Sequence, residues 1–179
     1  MKRFLFLILI VSFNVSAAEQ AITQWVYNTL ERAQANLDKG NVEAAERIYY
    51  DYSNDTWSSR SYDHFVILRT YAYFLLSFDR NEEALRYLKQ ASLKRDMPPY
   101  DIFELNFTLG QVYYVTGDRE NAKKTLLKWV EIGEKNKLDL KPEGYAILAT
   151  IYAQDEEWGN ALKYITLAID NSYRFVEDW

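Results

Sequence analysis

One small pattern recurs four times along this chain and constrains its fold more than any other feature. A small residue, a turn residue seven positions later and an alanine five beyond that occur as Ala33, Gly40 and Ala45, and again as Ala72, Asp79 and Ala84. The third and fourth copies are Gly110, Gly117 and Ala122, then Ala149, Glu156 and Ala161. Self-similarity at a fixed period is the mark of a stacked repeat array, in which each unit buries its apolar face only against its neighbours.

Between the turns, apolar residues follow helical spacing and no run alternates with period two, so the chain is expected to be all helix. Asp101-Ile102-Phe103-Glu104 has the form of a capping box, and Pro142 suits a first helical turn, where a missing N–H does no harm. Aligned on the turn, four helix pairs are expected: 21–38 with 42–53, 61–78 with 82–93, 101–116 with 119–134, and 142–154 with 158–170. Ala33, Ala72, Gly110 and Ala149 in the first helices face Ala45, Ala84, Ala122 and Ala161 in the second. Small residues at both places allow close axial approach while larger ones fill the grooves. The repeat therefore encodes packing, and no chemistry.

The N-terminus carries Lys2 and Arg3, an apolar run from Phe4 to Val11, and Val15-Ser16-Ala17-Ala18. These are the three parts of a secretory signal, with cleavage expected after Ala18 and a retained anchor as the rival reading. The run is short of the roughly 20 apolar residues that span a bilayer. Without residues 1–18 the formal net charge moves from −5 to −7. An acidic chain offers no basic face to nucleic acid and no attraction to anionic lipid, so neither partner is expected after cleavage. The chain has no cysteine, which excludes disulfides, thiolate chemistry and a lipidated N-terminus. Stability must come from packing, to which 15 tyrosines can contribute. Export and a helical repeat together point to the bacterial periplasm.

At Leu109-Gly110 with Tyr113, Gly117 and Ala122, and at Leu148-Ala149 with Tyr152, Ala161 and Ala168, the chain resembles the tetratricopeptide repeat family. The first two copies depart from its pattern: Arg32 precedes Ala33 where leucine is usual, and Leu75 stands where tyrosine is usual. Successive alanines lie 39, 38 and 39 residues apart, against about 34 in the family, so loops or second helices must absorb the surplus. The resemblance implies a right-handed all-α superhelix of about four antiparallel helix pairs over residues 19–171, acting as a protein-interaction scaffold. Combined with export, it is similar to periplasmic tetratricopeptide proteins that accompany TonB-type energy-transduction systems, which implies a partner in an envelope complex.

Little in the sequence supports catalysis. His64 is the sole histidine, too few for a histidine metal site, and a polar or capping role is expected for it. The acidic clusters at 79–83 and 155–157 lack the alternating ligands of a calcium loop and suit the positive end of a following helix. No glycine-rich phosphate loop or nucleophile elbow occurs. No catalytic residue, metal or cofactor is expected.

The resemblance implies a concave face lined by the first helices, with Tyr27, Leu30 and Gln34, then Arg69, Tyr73 and Leu76 at groove positions. Phe107, Gln111 and Tyr114 follow, then Thr150 and Gln154. Aromatic and amide side chains suit a peptide or helical segment, through ring burial and hydrogen bonds. The alternative is that Tyr73, Phe107 and Tyr114 merely pack between helices. Leu30 and Gln34 replace the lysine and asparagine with which cytosolic members of the family grip a C-terminal carboxylate, so a chaperone-tail receptor is not expected.

Residues 172–179 read as the start of a further helix or a capping segment. Either the array is incomplete or its end packs on another subunit through Phe175 and Trp179. Two further alternatives follow: a self-assembling structural subunit, and an accessory domain of a longer protein.

Overall fold

A computed structural model describes residues 21–54 and 61–177, with side chains given as far as Ser172. The expected signal segment lies outside them. The described residues form eight α-helices: α1 (Gln24–Asp38), α2 (Val42–Asn54), α3 (Ser61–Leu76), α4 (Asn81–Ser92), α5 (Pro99–Val115), α6 (Arg119–Asn136), α7 (Pro142–Gln154) and α8 (Trp158–Glu177). Each odd helix packs antiparallel on the even one after it, and each even helix packs on the next odd one. The result is an all-α solenoid of four helix pairs.

The four turns share one geometry, which explains the recurring pattern. Gly40, Asp79, Gly117 and Glu156 all have positive φ, between 59° and 84°. In each case the next residue's N–H donates to the carbonyl five positions back: Asn41 to Asn36, Arg80 to Leu75, Asp118 to Tyr113 and Glu157 to Tyr152, at 2.8–3.0 Å. The turn residue also donates three positions back, completing a Schellman motif that satisfies the last carbonyls of the first helix. The second helix begins at once, for Ala45, Ala84, Ala122 and Ala161 donate to the carbonyls of Asn41, Arg80, Asp118 and Glu157. Glycine adopts this left-handed conformation freely; Asp79 and Glu156 hold it against steric cost.

Ala33, Ala45, Ala72, Ala84 and Ala122 are wholly inaccessible to solvent. At Gly110 the approach leaves no room for a side chain, since a Cβ there would lie 2.6 Å from Leu126 Cγ. Around these small residues the buried side chains form two clusters. One is drawn mainly from α1 to α5 and holds Tyr49, Phe65, Tyr71, Phe74 and Tyr87. The other runs from α5 to α8 around Trp129, with Phe103, Phe107, Tyr145 and Tyr164.

Two expectations change. The capping box at 101–104 does not form: α5 begins at Pro99, and both acids point across to neighbouring repeats instead. Residues 172–177 continue α8 without a break, so they lengthen the fourth pair and start no separate helix. A longer second helix is one of the two means expected to absorb the surplus period, and α6 uses it.

Candidate protein-interaction face

The first helices meet along one side of the solenoid, where side chains link one pair to the next. Asp63, buried at the start of α3, accepts from the Thr23 N–H at 3.1 Å and from its hydroxyl at 2.9 Å. Asp101, at the same position of the next repeat, accepts from the Tyr62 hydroxyl at 3.0 Å and pairs with Arg69, whose guanidinium also lies over the Phe65 ring. In the fourth repeat that position is Leu140, which packs beside Gly133 instead. The tie is made there by Lys141, whose Nζ is 2.8 Å from Glu104 and 4.6 Å from the centre of the Phe107 ring.

At about 100° per residue, groove positions three before and four after the small residue share one edge of the helix, and those six before, one after and five after share the other. Together they cover an arc of roughly 100°. Leu30, Arg69, Leu76 and Tyr114 occupy the first edge and are half-buried against the adjoining helix. On the second, Tyr27, Thr150 and Gln154 are exposed, and Gln34, Tyr73 and Gln111 are half-buried. The face thus has a sealed margin and one that is open in part.

No protein-family model matches the sequence, and no curated protein matches it. Solved structures do. The chain is similar to MamA with a TM-score of 0.63 and 17% identity, over 85% of this chain and 81% of that one. It is also similar to a putative kinesin light chain of Podosopora anserina with nearly identical TPR-like repeats, at a TM-score of 0.63 and 17% identity, over 84% and 76% of the two chains. The fold is that of a tetratricopeptide-repeat array.

Within the array the expected groove residues separate by role. Tyr27 is exposed, its hydroxyl donating to Glu31 at 2.8 Å, which raises its pKa. Gln34 and Gln111 are half-buried, and Gln34 donates to Asp38. Thr150 donates to the Ala146 carbonyl and Gln154 accepts from Arg119. Tyr73 is half-buried beside Thr108, and its pKa is pushed up chiefly by burial, so it stays protonated.

Three residues have a packing role. Phe107 is buried against the Trp129 ring, 5.2 Å between centroids, because its position falls on the sealed edge. Arg69 is engaged by Asp101 and acts as a brace between repeats. Tyr114 packs against the first core. Phe107 thus packs between helices, and Tyr114, like Tyr73, packs there in part.

Two open residues escaped the sequence reading. Tyr100 is 60% exposed and Val115 65%. Tyr100 matches Tyr62 in register, but Leu140 stands where Tyr62 finds a carboxylate, so its ring remains on the open face. Val115 shares the register of Gln154. Carrying the repeat alignment to every position would have found both.

The acidic turns also do more than face a helix end. Arg80 bridges Glu46 of α2 and Glu83 of α4, each at 2.6 Å. Lys123 of α6 bridges Asp155 and Glu157 at 2.9 and 2.7 Å. Glu46 and Lys123 occupy the same repeat position, so these are equivalent clasps with the charges exchanged. His64 joins α2 to the end of α4: its Nε2 is 3.0 Å from the Ser53 carbonyl and its Nδ1 2.9 Å from Lys94 Nζ. Among the described residues no acid or histidine cluster could hold a metal ion, and no helix is long and apolar enough to cross a membrane. Surface hollows of about 460 and 590 Å³ lie by the α5–α6 turn, beside the Arg119 that reaches Gln154, and against α4 to α6.

Proposed function

We propose that the protein is a non-enzymatic scaffold of the bacterial periplasm that holds a peptide or helical segment of an envelope protein along its first-helix face. The observation that carries this reading is the open margin itself, where Tyr27, Tyr100 and Val115 are spaced by the amides Gln34, Gln111 and Gln154. Rigid aromatic rings supply apolar contact at low entropic cost, and amides can pair with an extended backbone or a helix end. Export by residues 1–18 supports the compartment, and a TonB-type transport assembly is the envelope complex that the sequence resemblance favours.

Site-specific photo-crosslinking in cells tests the reading. A photoreactive residue at Gln111 should capture one envelope protein, and the same residue at Lys124, on the opposite side, should not. Combining it with Tyr27→Ala, Tyr100→Ala and Val115→Ala should reduce capture at least about ten-fold with the helical content unchanged. Equal capture from both positions, or capture indifferent to the three substitutions, overturns the groove. Cytoplasmic fractionation of the mature chain overturns the compartment.

A further inference from the structure

The last described helix carries an apolar stripe that the fold leaves bare. Trp158, Leu162, Ile165 and Ile169 recur at spacings of four, three and four, and they are 67%, 68%, 41% and 49% exposed. That spacing keeps one seam in line along a helix, as in a coiled coil. The opposite flank of α8 is already used: Ala161, Tyr164 and Ala168 are buried against α7, with the Tyr152 and Tyr164 rings stacked at 5.4 Å.

Repeat register shows what the bare stripe is for. Ile165 stands four residues after the repeat alanine, where Tyr49, Leu88 and Leu126 are buried to 5% or less. Ile169 stands eight after it, where Ser53 and Val130 are buried and Ser92, at the end of the shorter α4, is exposed. On this side α2, α4 and α6 receive the next first helix: Tyr49 meets Tyr71 and Phe74 of α3, and Lys123, at the register of Leu162, lies over the Tyr152 ring of α7. The stripe is therefore the array's stacking face, and among the described residues no helix occupies it.

The other end of the array cannot supply the missing helix. Ile67, Tyr71 and Phe74 of α3 are buried against the preceding pair, as are Leu105, Leu109 and Val112 of α5. At the same three positions α1 has Asn28, Arg32 and Ala35, all exposed. Head-to-tail stacking would bury an arginine and an asparagine against four apolar side chains, which is costly. A closed two-fold contact has no such conflict, because it sets the stripe against itself. Gly159 and Thr166 flank the stripe, and a side chain added at Gly159 would meet nothing, so a second helix can come close.

We infer that the chain forms a two-fold dimer in which α8 packs antiparallel on α8 of a second copy through Trp158, Leu162, Ile165 and Ile169. Leu162 and Ile165 lie nearest the axis. This contact is independent of the first-helix face and leaves it open in both copies, so the dimer presents two partner-binding faces. It also moves self-association from Phe175 and Trp179, whose side chains lie outside the described residues, to the exposed stripe before them.

The mature chain, 19–179, tests this by sedimentation across micromolar to millimolar concentration. A monomer–dimer equilibrium is expected. Leu162→Glu with Ile165→Glu should weaken it at least about a hundred-fold, since four apolar side chains per dimer are lost from the seam. Arg32→Glu should leave it unchanged. Crosslinking keeps the test open if the double variant fails to fold: the chain has no native cysteine, so Thr166→Cys alone should join to itself with a short bismaleimide, and Ala35→Cys should not. A monomer at every concentration, a dimer untouched in a folded double variant, or self-crosslinking at 35 in place of 166 overturns the proposal.

Discussion

The junctions between helix pairs are built in two ways. Between the first and second pairs, and between the second and third, a buried carboxylate at one repeat position gathers hydrogen bonds from the pair before it: Asp63 from Thr23, Asp101 from Tyr62 and Arg69. Between the third and fourth, that position is Leu140; Lys141 still ties to Glu104, but the buried contact is apolar: Gly144 lies so close to Trp129 that a Cβ would fall 2.4 Å from its ring. A polar tie fixes register through direction, since donors and acceptors must align. An apolar contact fixes it through shape, and here one ring fills the space that glycine leaves.

The largest effect is expected from removing that ring. Trp129→Ala should cost about 3–5 kcal/mol, since an inaccessible side chain contacting Phe103, Phe107 and Tyr145 leaves a large cavity. Trp129→Phe should cost far less, because the indole Nε1 makes no hydrogen bond among the described residues and its loss leaves nothing unpaired. Urea unfolding of both variants checks this. If the two cost the same, the junction does not depend on shape.

The polar junction should respond differently. Asp101→Leu copies the residue at 140 but strands the Arg69 guanidinium and the Tyr62 hydroxyl, and should cost about 2–3 kcal/mol. Adding Arg69→Leu should restore much of that, because two apolar groups can replace a partly buried pair at little net cost. A double variant no better than the single one would show that the carboxylate serves Tyr62 and local packing more than its ion pair.

This contrast also marks how far the sequence could be read. The turn pattern was legible because backbone geometry requires it: a left-handed residue and an alanine recur wherever a helix reverses and packs closely, whatever surrounds them. Asp63 and Asp101 were present in the same alignment, yet nothing local distinguishes an acid that caps its own helix from one that reaches the neighbouring pair. Asp101 in particular sits three before Glu104, and that spacing suits a capping box. The difference lies in where α5 begins, two residues earlier at Pro99. Phe107 misled for a similar reason, since groove register places it on the face but depth is set by Lys141 and Trp129 from other repeats. The bare stripe on α8 was visible as spacing, but only the buried counterparts in α2, α4 and α6 show it to be a stacking face.

A smaller effect of opposite sign should appear at the turns. The first and third use glycine where the second and fourth hold Asp79 and Glu156 at φ 59°. Glu156→Gly should stabilise the array by about 1 kcal/mol, relieving the left-handed strain at the expense of a more flexible unfolded chain. Gly117→Ala should destabilise it by a similar amount. Thermal unfolding of the pair decides, and a destabilised Glu156→Gly would mean that this side chain contributes more than its backbone costs.

The smallest effect belongs to the clasps, and its sign follows from linkage. The Arg80 guanidinium holds the Glu83 carboxyl below the usual carboxylate range by hydrogen bonding, and Lys123 does the same to Glu157. A carboxyl depressed in the folded state binds its proton less readily there than in the unfolded chain. Its contribution is therefore present above the unfolded value of about 4.3 and is lost as pH falls through the lower folded value. Stability of the wild type should fall below about pH 4.5, and Arg80→Met with Lys123→Met should flatten that fall while barely changing stability in high salt. Urea midpoints at pH 7, 5 and 3.5 measure it. Parallel curves for the two proteins would assign the acid sensitivity to carboxylates outside the clasps.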